Sequence, residues 1–530
     1  CIRDRFLTLY CKYLTNLRKN QFIKLKTVMA IPFVNSIISW FLRKRKHQME
    51  LFIKYPLDVQ NELLFGLIQV AKNTEFGKKY DFSSFKSYED FALRVPIQQY
   101  ESIEPLIERC RKGEQNLFWP TKIKWFAKSS GTTNAKSKFI PVSDEAIEDC
   151  HLKAGKDMLC LYINNNEETR LFNGKGLRLG GSAAVYEDNN SYFGDLSAII
   201  IENMPFWADF SSAPSQEVAL MSEWETKMEA IISETINEDI TSLVGVPSWM
   251  LVLLNKVLEK TGKDHILEVW PNLEVYFHGG VNFNPYREQY KKLIPKKDFK
   301  YYETYNASEG FFALQDINGC LDLLLMLDYG IFYEFIPMND YDGENSTAIP
   351  LSKVRLHENY AVVITTNGGL WRYLIGDTIK FTSLNPYRIR ITGRTKHHIN
   401  VFGEELIIEN AEEALKLACS KTKTTITDYT VGPIFMDGKI KGSHEWVIEF
   451  ASAPDNLEYF TELLDNALKS INSDYEAKRY NNMTLVMPKV HSARKGLFYS
   501  WLKKKGKLGG QHKVPRLSNK RDFVEELLSL

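Results

Sequence analysis

Apolar positions give the first outline of the chain. Ile123, Trp125 and Ala127 alternate with Lys122, Lys124 and Phe126, the two-residue period of a strand. Lys138 to Val142 is a second short apolar run, so the pattern predicts strand, loop, strand. Around this unit, Leu63 to Val70 continues a helix. Asp81 to Ile107, broken by Pro96 and Pro105, predicts short helices and loops. Helices are predicted over Ala146 to Leu161, Ser248 to Lys260 and Pro285 to Leu293, the second opening at Pro247 and closing at Gly262. Strands are predicted over Gly174 to Gly181, Leu273 to Phe277, the start of Phe299 to Gly310, and Ala361 to Thr366. A hairpin is predicted from Leu321–Leu327 to Ile331–Ile336 across Asp328-Tyr329-Gly330. Alternating helices and apolar strands at this spacing predict an α/β domain.

The character changes near Gly393 to Gly403. Beyond it the pattern reads strand (Ile399 to Phe402), helix (Ile408 to Leu417), strand (Trp446 to Phe450), helix (Leu457 to Ile471) and strand (Thr484 to Val490). That predicts a compact α+β unit with its own core. The expected organisation is a probable extension over 1–28, a large N-terminal α/β domain over 29–393 and a small C-terminal domain over 394–530. Met29 is the expected natural start. Met29 to Leu42 is apolar and is followed by Arg43-Lys44-Arg45-Lys46, but the run is shorter than the ~20 residues of a spanning helix. It predicts an amphipathic helix packed on the domain, with no stable membrane insertion.

Composition narrows the class. At 530 residues the chain exceeds one ordinary core, and 44% hydrophobic with 25% charged residues is a globular balance. A net charge of +1 gives no basic footprint for nucleic acid. The seven cysteines are scattered without a C-x-x-C pair or a Cys/His cluster, which predicts free thiols, no zinc site and a cytoplasmic setting. His397 and His398 are strand neighbours and point to opposite faces, so they do not make a metal pair.

The candidate chemistry sits at the ends of the predicted strands. Ser129-Ser130-Gly131-Thr132-Thr133 joins the first two, with Lys136 and Lys138 close behind. Gly131 permits a tight turn, free N–H groups in such a turn make an anion-binding concavity, and hydroxyls and lysines add donors and charge. These are the parts a triphosphate needs, although the order is not that of a P-loop. Gly279 and Gly280 end another strand and would let a flat ring lie against the backbone. Tyr305-Asn306-Ala307-Ser308-Glu309 runs from a strand into a polar turn, where a carboxylate beside a hydroxyl can hold Mg²⁺. Asp377, after Gly376 at a strand end, can accept hydrogen bonds from two ribose hydroxyls. The tail Gly506 to Pro515 is a glycine-rich loop bearing Lys513.

In order and spacing these pieces resemble the adenylate-forming (firefly luciferase-like) superfamily. More closely, the chain resembles the auxin-responsive promoter family of acyl-acid amido synthetases and their bacterial relatives, over most of its length from about Met29. The motifs are Ser-Ser-Gly-Thr-Thr, the Tyr-x-x-Ser-Glu element, Glu334-Phe335-Ile336-Pro337, Arg372-Tyr373 with Gly376-Asp377, Gly393-Arg394, Asn472-Ser473-Asp474-Tyr475 and Gln511-His512-Lys513-Val514-Pro515-Arg516. The resemblance implies an ATP-dependent ligase. It adenylates a small carboxylic acid and transfers the acyl group to an amino acid, giving an amide, AMP and pyrophosphate. It also implies nucleotide binding by Ser129, Ser130, Gly131, Thr132, Thr133, Gly279, Gly280, Tyr305, Asn306, Ser308, Asp377 and Arg394. Glu309 would be catalytic and hold Mg²⁺, Lys513 would be the second catalytic residue, and Arg394 would begin a hinge. Ile375 and Lys396 depart from the wider superfamily, which has a hydroxyl and an acidic residue there. A thioester-forming ligase using coenzyme A and a non-catalytic nucleotide-binding relative remain as alternatives.

Overall fold

The computed structural model describes residues 45–129, 138–180, 186–188, 191–205, 208–209, 211–281, 283, 286–395, 398–437, 440–482, 484–505 and 514–530. Residues 1–28 and the apolar run from Met29 to Leu42 lie outside them. Among the described residues no helix is long and apolar enough to cross a membrane.

The elements that position the site begin with α1 (Pro56–Ala71), α2 (Tyr88–Arg94) and α3 (Tyr100–Arg111). α1 starts on a proline, whose missing N–H is harmless in a first turn, and buries Leu64, Leu67, Ile68 and Ala71 along one face. Next come the hairpin of β1 (Trp125–Ser129) and β2 (Lys138–Val142), then α4 (Lys153–Asn165), which a π-helical stretch over Ala146–Leu152 precedes. β3 (Lys175–Leu179), β4 (Tyr186–Asp188), β5 (Ser191–Gly194), β6 (Ser212–Ala213), β7 (Ile240–Gly245), α5 (Pro247–Thr261), β8 (Val275–Gly279) and β9 (Lys300–Ala307) follow. The remainder of the large unit is β10 (Gly310–Leu314), β11 (Leu323–Leu325), β12 (Ile331–Pro337), β13 (Ile349–Pro350), β14 (Asn359–Thr366), β15 (Tyr373–Leu384) and β16 (Tyr387–Arg394). The smaller C-terminal unit has β17 (His398–Ile399), β18 (Leu406–Ile407), α6 (Ile408–Thr422), β19 (Thr425–Ile434), β20 (Ser443–Ser452), α7 (Leu457–Ile471), α8 (Ser473–Arg479) and β21 (Lys489–Ala493).

One large sheet runs β13-β12-β14-β15-β16-β11-β10-β9-β8-β7-β3-β6. Its half from β9 to β6 is parallel, and the half from β9 to β13 is antiparallel. A smaller sheet, β2-β1-β5-β4, carries the hairpin, and the C-terminal unit contributes β19-β20-β21.

Four expectations need correction. β11 and β12 do not pair as a hairpin; β11 lies between β10 and β16, and β12 between β13 and β14. The buried Gln60 amide explains the parting. It donates to Leu327 O and Ile331 O at 2.9 and 3.0 Å and accepts from Tyr333 N, so the carbonyls flanking the turn bond to α1. Gly376 and Asp377 lie inside the long strand β15, not at a strand end. β19 is a strand of 10 residues that its mixed pattern hid: Thr425 to Asp428 are half or fully exposed, and only its second half is buried. Finally, the C-terminal unit shares much of its apolar core with the large unit, and only the cluster of Val447, Phe498, Trp501 and Val524 is its own. Ile399, Val401, Phe402 and Trp446 belong to one buried cluster with Leu243, Met250 and Tyr276 of the parallel half, and Tyr286 donates its hydroxyl to Val401 O at 2.5 Å.

The N-terminal helices are locked to the sheet by a buried ion pair. Arg372 donates from Nε and Nη2 to both oxygens of Glu334 at 2.9 and 2.8 Å, and from Nη1 to Ala92 O and Val95 O. Tyr88 donates to the same carboxylate. Arg372 holds a left-handed φ of 45°, a strained setting for a side chain this bulky. Removing one partner strands the other charge: Arg372→Met is expected to cost about 3–5 kcal/mol in urea unfolding. The double change with Glu334→Met should recover much of that loss.

Candidate active site

Parallel strands β7, β8 and β9 end together, and ligands of open α/β sheets bind beyond such carboxyl ends. Gly279 closes β8. A Cβ there would stand 2.4 Å from Thr304 Oγ1 and 2.6 Å from Thr304 O, so only glycine permits this approach of β9. Gly280 has φ +82°, and a Cβ there would meet nothing nearer than Val246 at 3.5 Å. Asn306 Oδ1 accepts from Thr304 Oγ1 beside this pair. β9 then turns through Ser308 and Glu309 into β10, with Ala307 opposite Gly310.

Across the cleft stands Asp377. Tyr305 donates its hydroxyl to Asp377 Oδ2 at 2.8 Å, and Arg394 donates from Nε to Asp377 Oδ1 at 2.8 Å. β9 and β15 are four steps apart in the sheet order, about 19 Å on a flat sheet at about 4.8 Å per step. A tyrosine cannot bridge that distance, so the sheet curls until the two strands face each other. Burial first, then the Asp377 carboxylate, pushes the Tyr305 phenol well above its ordinary value, so it remains a donor. Burial alone would lower the pKa of Arg394. The Glu405 and Asp377 carboxylates outweigh that and hold the guanidinium charged.

The hairpin places the base of the hydroxyl loop in the same cleft. Ser129 and Lys138 are the last paired positions of β1 and β2, so the loop leaves the sheet beside Lys138. Desolvation lowers the pKa of Lys138, against the pull of the Glu309, Glu101 and Glu405 carboxylates. Glu309 is raised, chiefly by desolvation, against the pull of Lys138 and Arg394. Among the described residues no ion pair within 4 Å reaches Glu309. A desolvated carboxylate held by its own backbone N–H, with no ion-pair partner among the described residues, suits a hard cation that completes its shell from phosphate and water. No group of three or more metal-ligating side chains occurs among the described residues.

The structure therefore brings together Gly279, Gly280, Tyr305, Asn306, Ser308, Glu309, Asp377 and Arg394, with the strand that ends at Ser129. Ser130, Gly131, Thr132, Thr133 and Lys513 lie outside the described residues, as does Lys396.

Models of three successive parts of one family match this chain: the GH3 family N-terminal domain over residues 45–299, the central domain over 324–394 and the C-terminal domain over 409–522. The chain belongs to the GH3 family. It is 21% identical over 551 residues to indole-3-acetic acid-amido synthetase GH3.3 of Arabidopsis thaliana, covering 88% of this chain and 90% of that one. It is 23% identical to jasmonoyl–L-amino acid synthetase JAR6 of Nicotiana attenuata, covering 89% and 93%. In fold it is similar to the AtGH3.15 acyl acid amido synthetase, with a TM-score of 0.60 over 93% of this chain and 96% of that one at 16% identity. It is also similar to a 2-hydroxyisobutyryl-CoA ligase, with a TM-score of 0.54 over 90% and 93% at 14% identity. The fold is thus the adenylate-forming α/β type, with a large N-terminal and a smaller C-terminal unit.

Within this GH3 protein the structure adds cleft residues that the sequence did not single out: Glu101 from α3, and Glu405 from the turn before β18. Neither carries a motif; charge beside a glycine is the ordinary composition of a turn. The family motif Asn472-Ser473-Asp474-Tyr475 takes a structural task. Asn472 caps α8 by accepting from Tyr475 N, while its amide donates to Glu404 O, Glu405 O and Asn410 Oδ1. Tyr475 and Arg479 share Asp465.

The raised pKa of Glu309 sets a pH dependence. A carboxyl whose folded-state pKa lies above its unfolded value opposes folding once ionised. Stability is full below the unfolded value and is lost as pH rises through the folded one. Glu309→Gln should therefore be more stable than the parent at pH ~8, with the difference vanishing at pH ~4 where both forms are neutral. Urea midpoints at the two pH values measure it; equal gains at both would contradict the desolvation of Glu309.

Proposed function

We propose that this GH3 protein is an ATP-dependent acyl-acid amido synthetase. It joins a small carboxylic acid to an amino acid through an acyl-adenylate, releasing pyrophosphate and then AMP. The observation that carries this reading is the meeting of Asp377, Glu309 and Lys138 at the carboxyl ends of the parallel strands. It supplies a ribose acceptor, a cation ligand and the base of a phosphate loop in one cleft.

The proposed roles rest on side-chain chemistry and on the family likeness. Asp377 uses one lone pair on each oxygen for Tyr305 and Arg394 and keeps others for two ribose hydroxyls. Gly279 lets β9 pack close and Gly280 leaves backbone open to the adenine, with Tyr305 and Asn306 beside it. The loop from Ser129 to Thr133 holds the phosphates, with Ser308 near the turn. Glu309 would hold Mg²⁺, which neutralises charge on the phosphates during in-line displacement. Lys138 feels the charge of Glu309 and adds positive charge to the same region. Positioning and charge complementarity supply most of what such a displacement needs. Lys513 is the proposed second catalytic residue, brought in by the C-terminal unit, and the boundary at Gly393–Arg394 is the proposed hinge between domains 29–393 and 394–530.

Coenzyme A as acceptor is the weaker reading. Of the lysines that could meet its phosphates (Lys503, Lys504, Lys505 and Lys507), Lys505 pairs with Glu526 at 2.8 Å. The similar curated proteins are named as amide-forming enzymes.

The test is exchange of radiolabelled pyrophosphate into ATP, driven by a panel of carboxylic acids with Mg²⁺, followed by mass spectrometry of products with amino acids or coenzyme A. Amides and no thioester are expected. Asp377→Ala and Glu309→Ala should each lower exchange by roughly 100-fold, with circular dichroism unchanged and a higher Mg²⁺ requirement for Glu309→Ala. Thioester without amide would overturn the reading.

The hinge has its own test. Gly393 has φ +151°, which proline, fixed near about −65°, cannot adopt. Gly393→Pro should slow overall turnover more than it weakens nucleotide binding; equal effects on the two would contradict a moving C-terminal unit.

A further inference from the structure

Glu404 and Glu405 are chain neighbours with opposite fates. Glu404 is fully buried in the C-terminal unit, with Oε1 2.8 Å from His444 Nε2 and Oε2 accepting from Phe402 N. Glu405 turns the other way, into the cleft of the large unit. Its Oε2 accepts from Arg394 Nη1 at 3.4 Å, on the guanidinium whose Nε holds Asp377. Lys138 of β2 and Lys478 of α8 also feel its charge.

The backbone is arranged to hold this carboxylate there. Glu405 has φ +37°, in the left-handed region that a side chain of this size adopts only under constraint. The constraint is visible. Glu405 N donates to Asn400 Oδ1 at 3.3 Å, and the Asn472 amide donates to Glu404 O and Glu405 O at 3.0 and 3.2 Å. Strain kept at one residue by two side chains from different elements points to a use for that residue.

The charge balance decides which step it serves. During adenylation the cleft must hold a triphosphate, and a carboxylate against Arg394 would repel it and occupy a cation. After pyrophosphate has left, the acyl-adenylate carries far less negative charge, and the incoming α-amine is largely an ammonium at neutral pH. An ammonium needs a carboxylate to bind and a base to deprotonate it before its lone pair can attack.

We propose that Glu405 is the acceptor-step residue: presented by the C-terminal unit in this docking, it binds the acceptor ammonium and takes one proton from it. The proposal rests on the amido-synthetase reading above. The neutral amine then forms the C–N bond to the acyl carbon. The bond from that carbon to the AMP oxygen breaks, its electron pair leaving on AMP, and the second nitrogen proton passes to solvent. Asn472 is a positioning residue that acts through the Glu404–Glu405 backbone.

The test separates the two half-reactions in the full chain, using an acid that supports exchange in the parent and a pool of the common amino acids. Glu405→Gln should keep ATP–pyrophosphate exchange and lose amide formation by roughly 100-fold, the usual reach of general-base catalysis. Hydroxylamine, whose nitrogen is already unprotonated at neutral pH, should give hydroxamate at similar rates with parent and variant. Asn472→Ser should show the same split more weakly, and reads it independently if Glu405→Gln folds poorly by circular dichroism. Normal amide formation by Glu405→Gln would overturn the proposal, and so would parallel loss of exchange, amide and hydroxamate in a folded variant. Absence of exchange by the parent with any acid would instead overturn the ligase reading beneath it, so the two failures are distinct.

Discussion

The Asp377 carboxylate is the junction on which the cleft depends. It accepts from Tyr305 of β9 on one oxygen and from Arg394 of β16 on the other. The first bond can form only if the large sheet curls, so it ties the parallel half to the antiparallel half. The second fixes the residue at which the chain leaves the large unit. Sheet curvature, the floor of the candidate nucleotide site and the approach of the C-terminal unit thus share one side chain. Inside a protein such charge-assisted bonds are stronger than in water, and the groups they join are costly to leave unpaired.

Around that junction the cleft keeps charges in unfavourable settings. Lys138 and Glu309 are both disfavoured by desolvation in their ionised forms, and Glu405 sits in a left-handed backbone conformation. Folding opposes all three, and other parts of the chain offset them. The Glu334–Arg372 pair is satisfied by Tyr88 and two helix-end carbonyls. Two motifs of the family resemblance, Glu334-Phe335-Ile336-Pro337 and Arg372-Tyr373, are therefore one device: they hold the scaffold from which Asp377 projects five residues later in β15.

Much of the site was legible because its residues are chemically specific and lie in short runs. A hydroxyl and glycine loop between two apolar runs, a glutamate after a Tyr-x-x-Ser turn and an aspartate after glycine each suggest a role within a few positions. Their order along the chain made a specific resemblance, and the family models match the same span. The misread elements have local causes. The β11–β12 hairpin was inferred from an apolar–turn–apolar pattern, but Gln60, far upstream, takes up the carbonyls that such a hairpin would pair. β19 was missed because its first half faces water, so period-two apolarity is absent there.

By itself the sequence determined the α/β class, the succession of a large and a small unit, and which hydroxyls, glycines and carboxylates the candidate site has to offer. Those properties reside in local pattern and in side-chain type. Only the tertiary structure decided that Tyr305 and Asp377 meet across a curled sheet and that Glu405 rather than Glu404 enters the cleft. These are contacts between residues distant in sequence. Two adjacent glutamates have the same chemistry and propensity, and only the strained turn held by Asn400 and Asn472 gives them different surroundings.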